Sequence, residues 1–462
     1  MFCRRQGVRA RRTGRPARPV ARRSGDLPAG RGPRPSVSLE DRGRARAGRG
    51  RRPREHASVK VLRTAAAVLT ACTAWTTAAG AQPAVAHAPL AASRAGEAFY
   101  EPPATLPAHN GDVIRTERSV FHLDPLKVVK ADADVQRIMY RTTDRTGTPV
   151  AVTGTLLTPN AAYPAPRPLV TFAPGTQGLA DKCAPSRQLA DGTEYEGLPV
   201  KHLLDQGWTV VVTDYQGSGT PGVHTYMDRE AQGRAVLDSL RAAQRLRKTA
   251  GPVALYGYSQ GGGATASAAE LAPAYAPELK IEGAVVGAAP ADLDAVAAGL
   301  DGSAYGAFFN YSLSGLGASY GIDIDAYLNA RGKRVTADLR DNQCTTQALA
   351  KYPFLTSRFL TADGRPLTER LKYAPWKAIV ADQRLGTRKP GMPVLLSHSR
   401  LDDVVPHRVG QRLAADWCKL GAVVKFSTNH VPGHIVAAAA TGNEGAPWLR
   451  DRFAGKTAPN TC

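Results

Sequence analysis

The sequence has no run of about 20 continuous apolar residues, and without one a membrane-spanning helix is excluded. The most apolar early stretch, from about Thr64 to Ala79, is short and broken by Cys72, Trp75 and several threonines. No internal repeat at a period of 20 to 50 residues is visible, which excludes a solenoid or propeller array. No C-x-x-C spacing is found among the cysteines, so no metal site is expected from them, and no cofactor motif stands out. Acidic residues are scarce at one end only. Residues 1–63 carry 20 Lys+Arg against 4 Asp+Glu, a net of +16, so of the formal +21 the remaining chain holds 40 minus 35, or +5. A basic surface for nucleic acid is therefore not expected downstream, and loss of any DNA binding is expected once residues 1–81 are absent.

What is present at that end is Arg, Gly, Pro and Ala without apolar periodicity, a composition with too little to bury to offset its ordering entropy. Residues 1–58 are expected to be a disordered Arg-rich leader, either a long extension or the product of an upstream start. After it come Lys60, Arg63, the apolar stretch and the small-residue sites Ala79-Gly80-Ala81 and Ala84-Val85-Ala86, the order of a secretory signal peptide over 59–81. Leu69-Thr70-Ala71-Cys72 also has the form of a lipobox, so the alternative to a secreted protein is one anchored by lipid at Cys72. Export makes disulfides the default for Cys183, Cys344, Cys418 and Cys462, which permit three pairings.

From Arg137 onward short apolar runs alternate with amphipathic segments. Ile138–Thr142 and Val150–Leu157 flank a Thr143–Gly147 turn and predict a hairpin; Leu169–Phe172, Trp208–Thr213, Val253–Tyr256, Ile281–Val286, Val394–Leu396 and Val423–Phe426 predict further strands. Between them, Glu230–Arg247 and Pro406–Lys419 carry apolar residues at helical spacing, with Val409, Leu413 and Trp417 at i, i+4 and i+8. Strand-helix alternation predicts an α/β fold, a mostly parallel central sheet covered by helices on both faces. The alternation lapses over about 291–389, which reads as an inserted helical cap in a domain spanning 100–462.

Gly257-Tyr258-Ser259-Gln260-Gly261 is a G-x-S-x-G placed between a predicted strand and a helix-like Gly262–Glu270 segment. A tight strand-to-helix turn needs small residues on both sides if Ser259 is to project its hydroxyl from the sheet edge, as in an α/β-hydrolase. A serine hydroxyl needs a histidine base, and the histidine needs a carboxylate to fix its tautomer; in this fold they follow in the order Ser, acid, His. Asp402 in Leu401-Asp402-Asp403 is the chosen acid with Asp403 in reserve, and His434 is the chosen base, with His430 as its neighbour four residues earlier. The oxyanion needs two N–H donors. Gln260 supplies one; the loop Ala173-Pro174-Gly175-Thr176-Gln177-Gly178 supplies the other through Thr176 or Gln177, since Pro174 has no N–H.

Taken together, Gly175–Gly178 with Cys183-Ala184-Pro185-Ser186, Asp214–Gly219, the turn at Ser259, Asp402–Pro406 and Gly433-His434 resemble the secretory lipase family, typified by fungal lipase A and present among exported actinobacterial lipases. The resemblance covers roughly Tyr100 to Cys462. It implies a Ser259, Asp402, His434 triad, a helical cap ahead of the acid, and pairing of Cys183 with Cys344 and of Cys418 with Cys462. Where some members carry His before the Gly-Thr of the oxyanion loop, this chain has Pro174. The expected activity is hydrolysis of lipid or shorter acyl esters, with transient contact at a lipid interface. The alternatives are acyl transfer to an alcohol by the same triad and a non-catalytic binding protein of this fold. Oligomeric state is not legible.

Overall fold

A computed structural model describes residues 97–164, 166–247 and 251–462. The leader, the signal segment and Cys72 lie outside the described residues.

A nine-stranded sheet runs β1 (Val113–Arg118), β2 (Ala133–Thr143), β3 (Pro149–Pro159), β5 (Thr209–Thr213), β4 (Leu169–Ala173), β6 (Val253–Tyr258), β7 (Ile281–Gly287), β8 (Val394–Ser399) and β9 (Val424–Asn429) from edge to edge. The β2–β3 hairpin and both of its outer pairings are antiparallel, and every pairing from β5 to β9 is parallel. Side chains along a strand point alternately to the two faces. On one face Leu169, Val211, Val253, Leu255, Ala284, Val286, Val394 and Leu396 share a core with α3 (Arg229–Arg247), α4 (Gln260–Tyr275) and α11 (His407–Lys419). On the other, Val170, Phe172, Val210, Val212, Ala254, Tyr256, Val285 and Leu395 pack against α2 (Gly197–Asp205) and α12 (His434–Phe453). Burial on both faces is why the central strands read as unbroken apolar runs.

Two elements stand apart from the sequence reading. The edge strand β1, Val-Ile-Arg-Thr-Glu-Arg, is half exposed and lacks an apolar run, so nothing in its pattern marks it as a strand. Between β7 and β8 lies the segment that broke the alternation. It folds into α5 (Leu293–Leu300), α6 (Gly306–Tyr320), α7 (Ala330–Asn342), α8 (Thr345–Lys351), α9 (Leu367–Arg370) and α10 (Trp376–Asp382). The remaining helix, α1 (Pro185–Asp191), follows β4. Bonds join Cys183 to Cys344 and Cys418 to Cys462, so the first ties the start of α8 to the chain just before α1. No helix among the described residues is long and apolar enough to cross a membrane.

Candidate active site

The parallel strands end on a common edge, and three of the connections leaving that edge meet at one point. At the first, β6 passes into α4 through Ser259, whose backbone sits at φ 58°, ψ −122°. That conformation is uncommon for a residue with a Cβ and costs on the order of 1–3 kcal/mol. Its surroundings hold it. Ser259 N–H donates to the Gly287 carbonyl at 3.0 Å, and the flanking glycines leave no room for anything larger. A Cβ on Gly257 would lie 2.2 Å from the Gly261 carbonyl oxygen, and one on Gly261 would lie 1.9 Å from that of Ala173. Gly262 is under the same constraint against Gly287, a third glycine outside the five-residue motif.

At the second connection, β8 runs into a loop that buries Asp402. Its Oδ1 accepts the N–H groups of Val404 and Val405 at 2.9 and 2.8 Å, and its Oδ2 accepts Nδ1–H of His434 at 2.8 Å. Burial is the largest influence and pushes this carboxyl up, but the hydrogen bond and charge of His434 with the two backbone donors outweigh it, leaving Asp402 below its ordinary range. At the third, β9 leads through Gly433 into α12, whose first residue is His434. The Ser259 hydroxyl donates to His434 Nε2 at 2.7 Å. Ser259, His434 and Asp402 thus form one hydrogen-bonded line.

The residues held in reserve have other places. Asp403 Oδ1 accepts the backbone N–H of His434 at 2.7 Å, so its carboxylate caps α12 and fixes where the imidazole begins. His430 is exposed and outside the line. Two further histidines lie beside the line, one near Asp402 and one against the side chain of Gln260. His398 is fully buried, its Nε2–H donates to the Val405 carbonyl at 3.0 Å, and burial lowers its pKa to about 4. His224 donates through Nδ1–H to the Gln216 carbonyl and accepts the Gln260 side-chain amide on Nε2, both at 3.0 Å; burial again brings its pKa down to about 4. Neither has a sequence signal beyond being a histidine.

Gln260 opens α4, where a backbone N–H has no helical acceptor, and it follows Ser259 directly. Of the other two candidate donors, Thr176 lines the same cavity as Ser259, with its hydroxyl 2.6 Å from that of Tyr226. The side chain of Gln177 is turned away, donating to Glu194 at 2.8 Å and accepting from Gln188 at 2.8 Å. The loop is clamped from above by α8, since Thr345 N–H donates to the Gln177 carbonyl and its hydroxyl to that of Thr176.

Ser259 opens into two apolar spaces. A cleft of about 520 Å³ runs between α2, α8 and α12, past Leu198, Leu349, Ile435 and Val436. Leu198, Ile435 and Val436 are more than half exposed, which leaves an apolar rim on the outer surface. A narrow extension of about 40 Å³ reaches under α5 and α6 between Val296, Leu300, Phe309 and Leu316. Phe308 lines both spaces. Among the described residues no group of three or more His, Cys, Asp or Glu is arranged to hold a metal ion.

Comparison with known proteins agrees with this architecture. Lipase 10 of Candida albicans is 28% identical over 393 residues, covering 79% of this chain and 82% of that protein. A Mycobacterium tuberculosis protein named "Probable inactive lipase" is 29% identical over 378 residues, covering 78% of this chain and 82% of that protein. The crystal structure of Candida antarctica lipase A in its closed state superposes with a TM-score of 0.69 at 25% identity, covering 79% of this chain and 87% of that one. The secretory lipase family model matches residues 184–461, the span that carries the Ser259 turn, the helical insertion, Asp402 and His434, and the chain belongs to the secretory lipase family.

Proposed function

We propose that this protein hydrolyses carboxylic esters of lipid character through an acyl-enzyme on Ser259. The observation that carries the reading is the unbroken hydrogen-bonded line from Ser259 through His434 to Asp402 at the floor of an apolar cleft. As Ser259 Oγ attacks the ester carbonyl carbon, its proton passes to His434 Nε2, and Asp402 stabilises the imidazolium through Nδ1–H. The carbonyl oxygen becomes an oxyanion facing the N–H of Gln260, with Thr176 as the second donor in place of Gln177. Collapse breaks the bond to the alcohol, which leaves with the proton from His434. Water then gives a proton to His434, attacks the acyl carbon and releases the carboxylic acid and Ser259.

The segment 291–389 serves as the cap that keeps water from the reacting carbonyl, and the exposed Leu198, Ile435 and Val436 suit contact with a lipid surface. Membership of a secretory family and two disulfides support export, with lipid attachment at Cys72 as the alternative; mass measurement of the mature N-terminus separates them.

Hydrolysis of p-nitrophenyl esters of graded chain length, with fluorophosphonate labelling, tests the reading. Ser259→Ala should abolish labelling and lower kcat by about 10⁶-fold, and Asp402→Asn by about 10⁴-fold. The relative named as inactive makes a silent binding protein the rival; no turnover by the intact protein favours that rival, and turnover that survives Ser259→Ala overturns Ser259 as the nucleophile.

A further inference from the structure

A pair of acids beside the site, one buried and one half-buried, has no part in the steps above. Glu194 and Glu196 lie between α1 and α2. Glu196 is 4% exposed and lines the cleft with Ser259. Its Oε2 accepts the Gly175 N–H at 2.5 Å and the Gln177 amide at 3.3 Å. Glu194 Oε1 accepts the same Gln177 amide at 2.8 Å and the Glu196 N–H at 3.0 Å, while its Oε2 is enclosed without a partner. The two carboxyls therefore grip Gly175 and Gln177, and between them stands Thr176, the proposed oxyanion donor. Gly175 is shaped to this contact, because a Cβ there would lie 3.1 and 3.3 Å from the two Glu196 oxygens and 2.8 Å from the Tyr195 hydroxyl.

Among the described residues no Lys, Arg or His forms an ion pair with either acid. The groups that face them are Tyr195 between them, Asp214 and Tyr215 after β5, Tyr256 and Tyr258 on β6, and His202 and His434 across the cleft. Burial raises the pKa of Tyr215, Tyr256 and Tyr258 and keeps them neutral, and Asp214 adds negative charge rather than relieving it. Two carboxyls on one amide, with no Lys or Arg paired to either, oppose each other's ionisation.

Resting on the hydrolase reading of Ser259, we propose that Glu196 and Glu194 are positioning residues for ester hydrolysis: a proton held by the pair keeps the Gly175–Gln177 loop in place against Ser259, and losing that proton to solvent at alkaline pH releases the loop. A second buried charge without a partner can be relieved only by admitting water, which means moving the loop that carries the oxyanion donor. The apolar cleft that holds the ester is left in place, so the loss falls on kcat rather than on KM. Burial is the largest influence on both carboxyls and pushes each above the usual carboxylate range, opposed at Glu194 by the Glu196 N–H and the Gln177 amide and reinforced at Glu196 by the charge of Glu194.

The test is a pH profile of kcat and KM on a p-nitrophenyl ester. Intact protein should lose kcat reversibly as the pH rises from neutral into the alkaline range, and Glu194→Gln, which cannot ionise, should move that fall upward by a pH unit or more. Glu196→Ala should lower kcat at neutral pH about 10- to 100-fold with KM within about threefold, and Glu196→Gln should recover part of the loss. An alkaline limb in Glu194→Gln that coincides with that of the intact protein overturns the proposal, as does a folded Glu196→Ala with kcat within twofold. If Glu196→Ala does not fold, the Glu194→Gln profile decides alone. An intact protein without esterase activity, or one indifferent to Ser259→Ala, defeats the hydrolase reading instead of this one.

Discussion

Ser259 keeps its unusual backbone because the groups around it leave no alternative, and the tightest of these contacts is at Gly261. Gly261→Ala brings a methyl group to within 1.9 Å of the Ala173 carbonyl oxygen, so β4 and α4 must separate. We expect a loss of about 1–3 kcal/mol in chemical unfolding and a larger loss in kcat, since the same movement displaces both Ser259 and the Gln260 N–H. His398 gives a second residue-scale prediction. Its folded pKa of about 4 lies below the 6.5 of the unfolded chain, so between these values the unfolded state binds more protons. Its contribution to stability is complete above pH 6.5 and is lost as the pH falls toward 4. His398→Gln does not titrate, so the stability difference between pH 7 and pH 5, measured from urea unfolding, should shrink by about 1–2 kcal/mol relative to the parent protein.

At the scale of elements, α6 decides how the two spaces at Ser259 are divided. Phe308 lines both, and Phe309, Leu313 and Leu316 continue along the narrow one. Phe308→Ala should join them and raise kcat/KM for long-chain relative to short-chain p-nitrophenyl esters; an unchanged ratio would show that acyl chains lie wholly in the outer cleft. The helices of this segment were only coarsely legible. Several are short, and α6 buries Phe, Gly, Ser and Ala around most of its circumference instead of along a stripe. Helical periodicity is visible only where one face meets water, as it does in α11. The edge strand β1 escaped notice for the opposite reason, having almost nothing to bury. The central strands, buried on both faces, were plain.

For the molecule as a whole, the Cys183–Cys344 bond spans 161 residues and joins the 291–389 segment to the connection after β4. The Cys418–Cys462 bond spans 44 and fastens the C-terminus beside α11. In the chain-entropy account these closures contribute about 5 and about 4 kcal/mol. Cys344→Ser should lower Tm more than Cys462→Ser and should reduce kcat as well, because α8 sits on the carbonyls of Thr176 and Gln177. A calorimetric melt beside the esterase assay checks both.

The alternation of strands and helices, the turn at Ser259 and the order in which Ser259, Asp402 and His434 follow one another are legible in one dimension, because each rests on local periodicity or on a short motif. It takes the folded chain to show that Asp402 rather than Asp403 meets the imidazole of His434, that Thr176 rather than Gln177 lines the cleft, and that two glutamates grip the loop beneath it. Neighbouring residues of like chemistry are indistinguishable in one dimension; they separate only when residues 32 and 175 positions apart in the chain come within hydrogen-bond reach and turn a neighbour to another task.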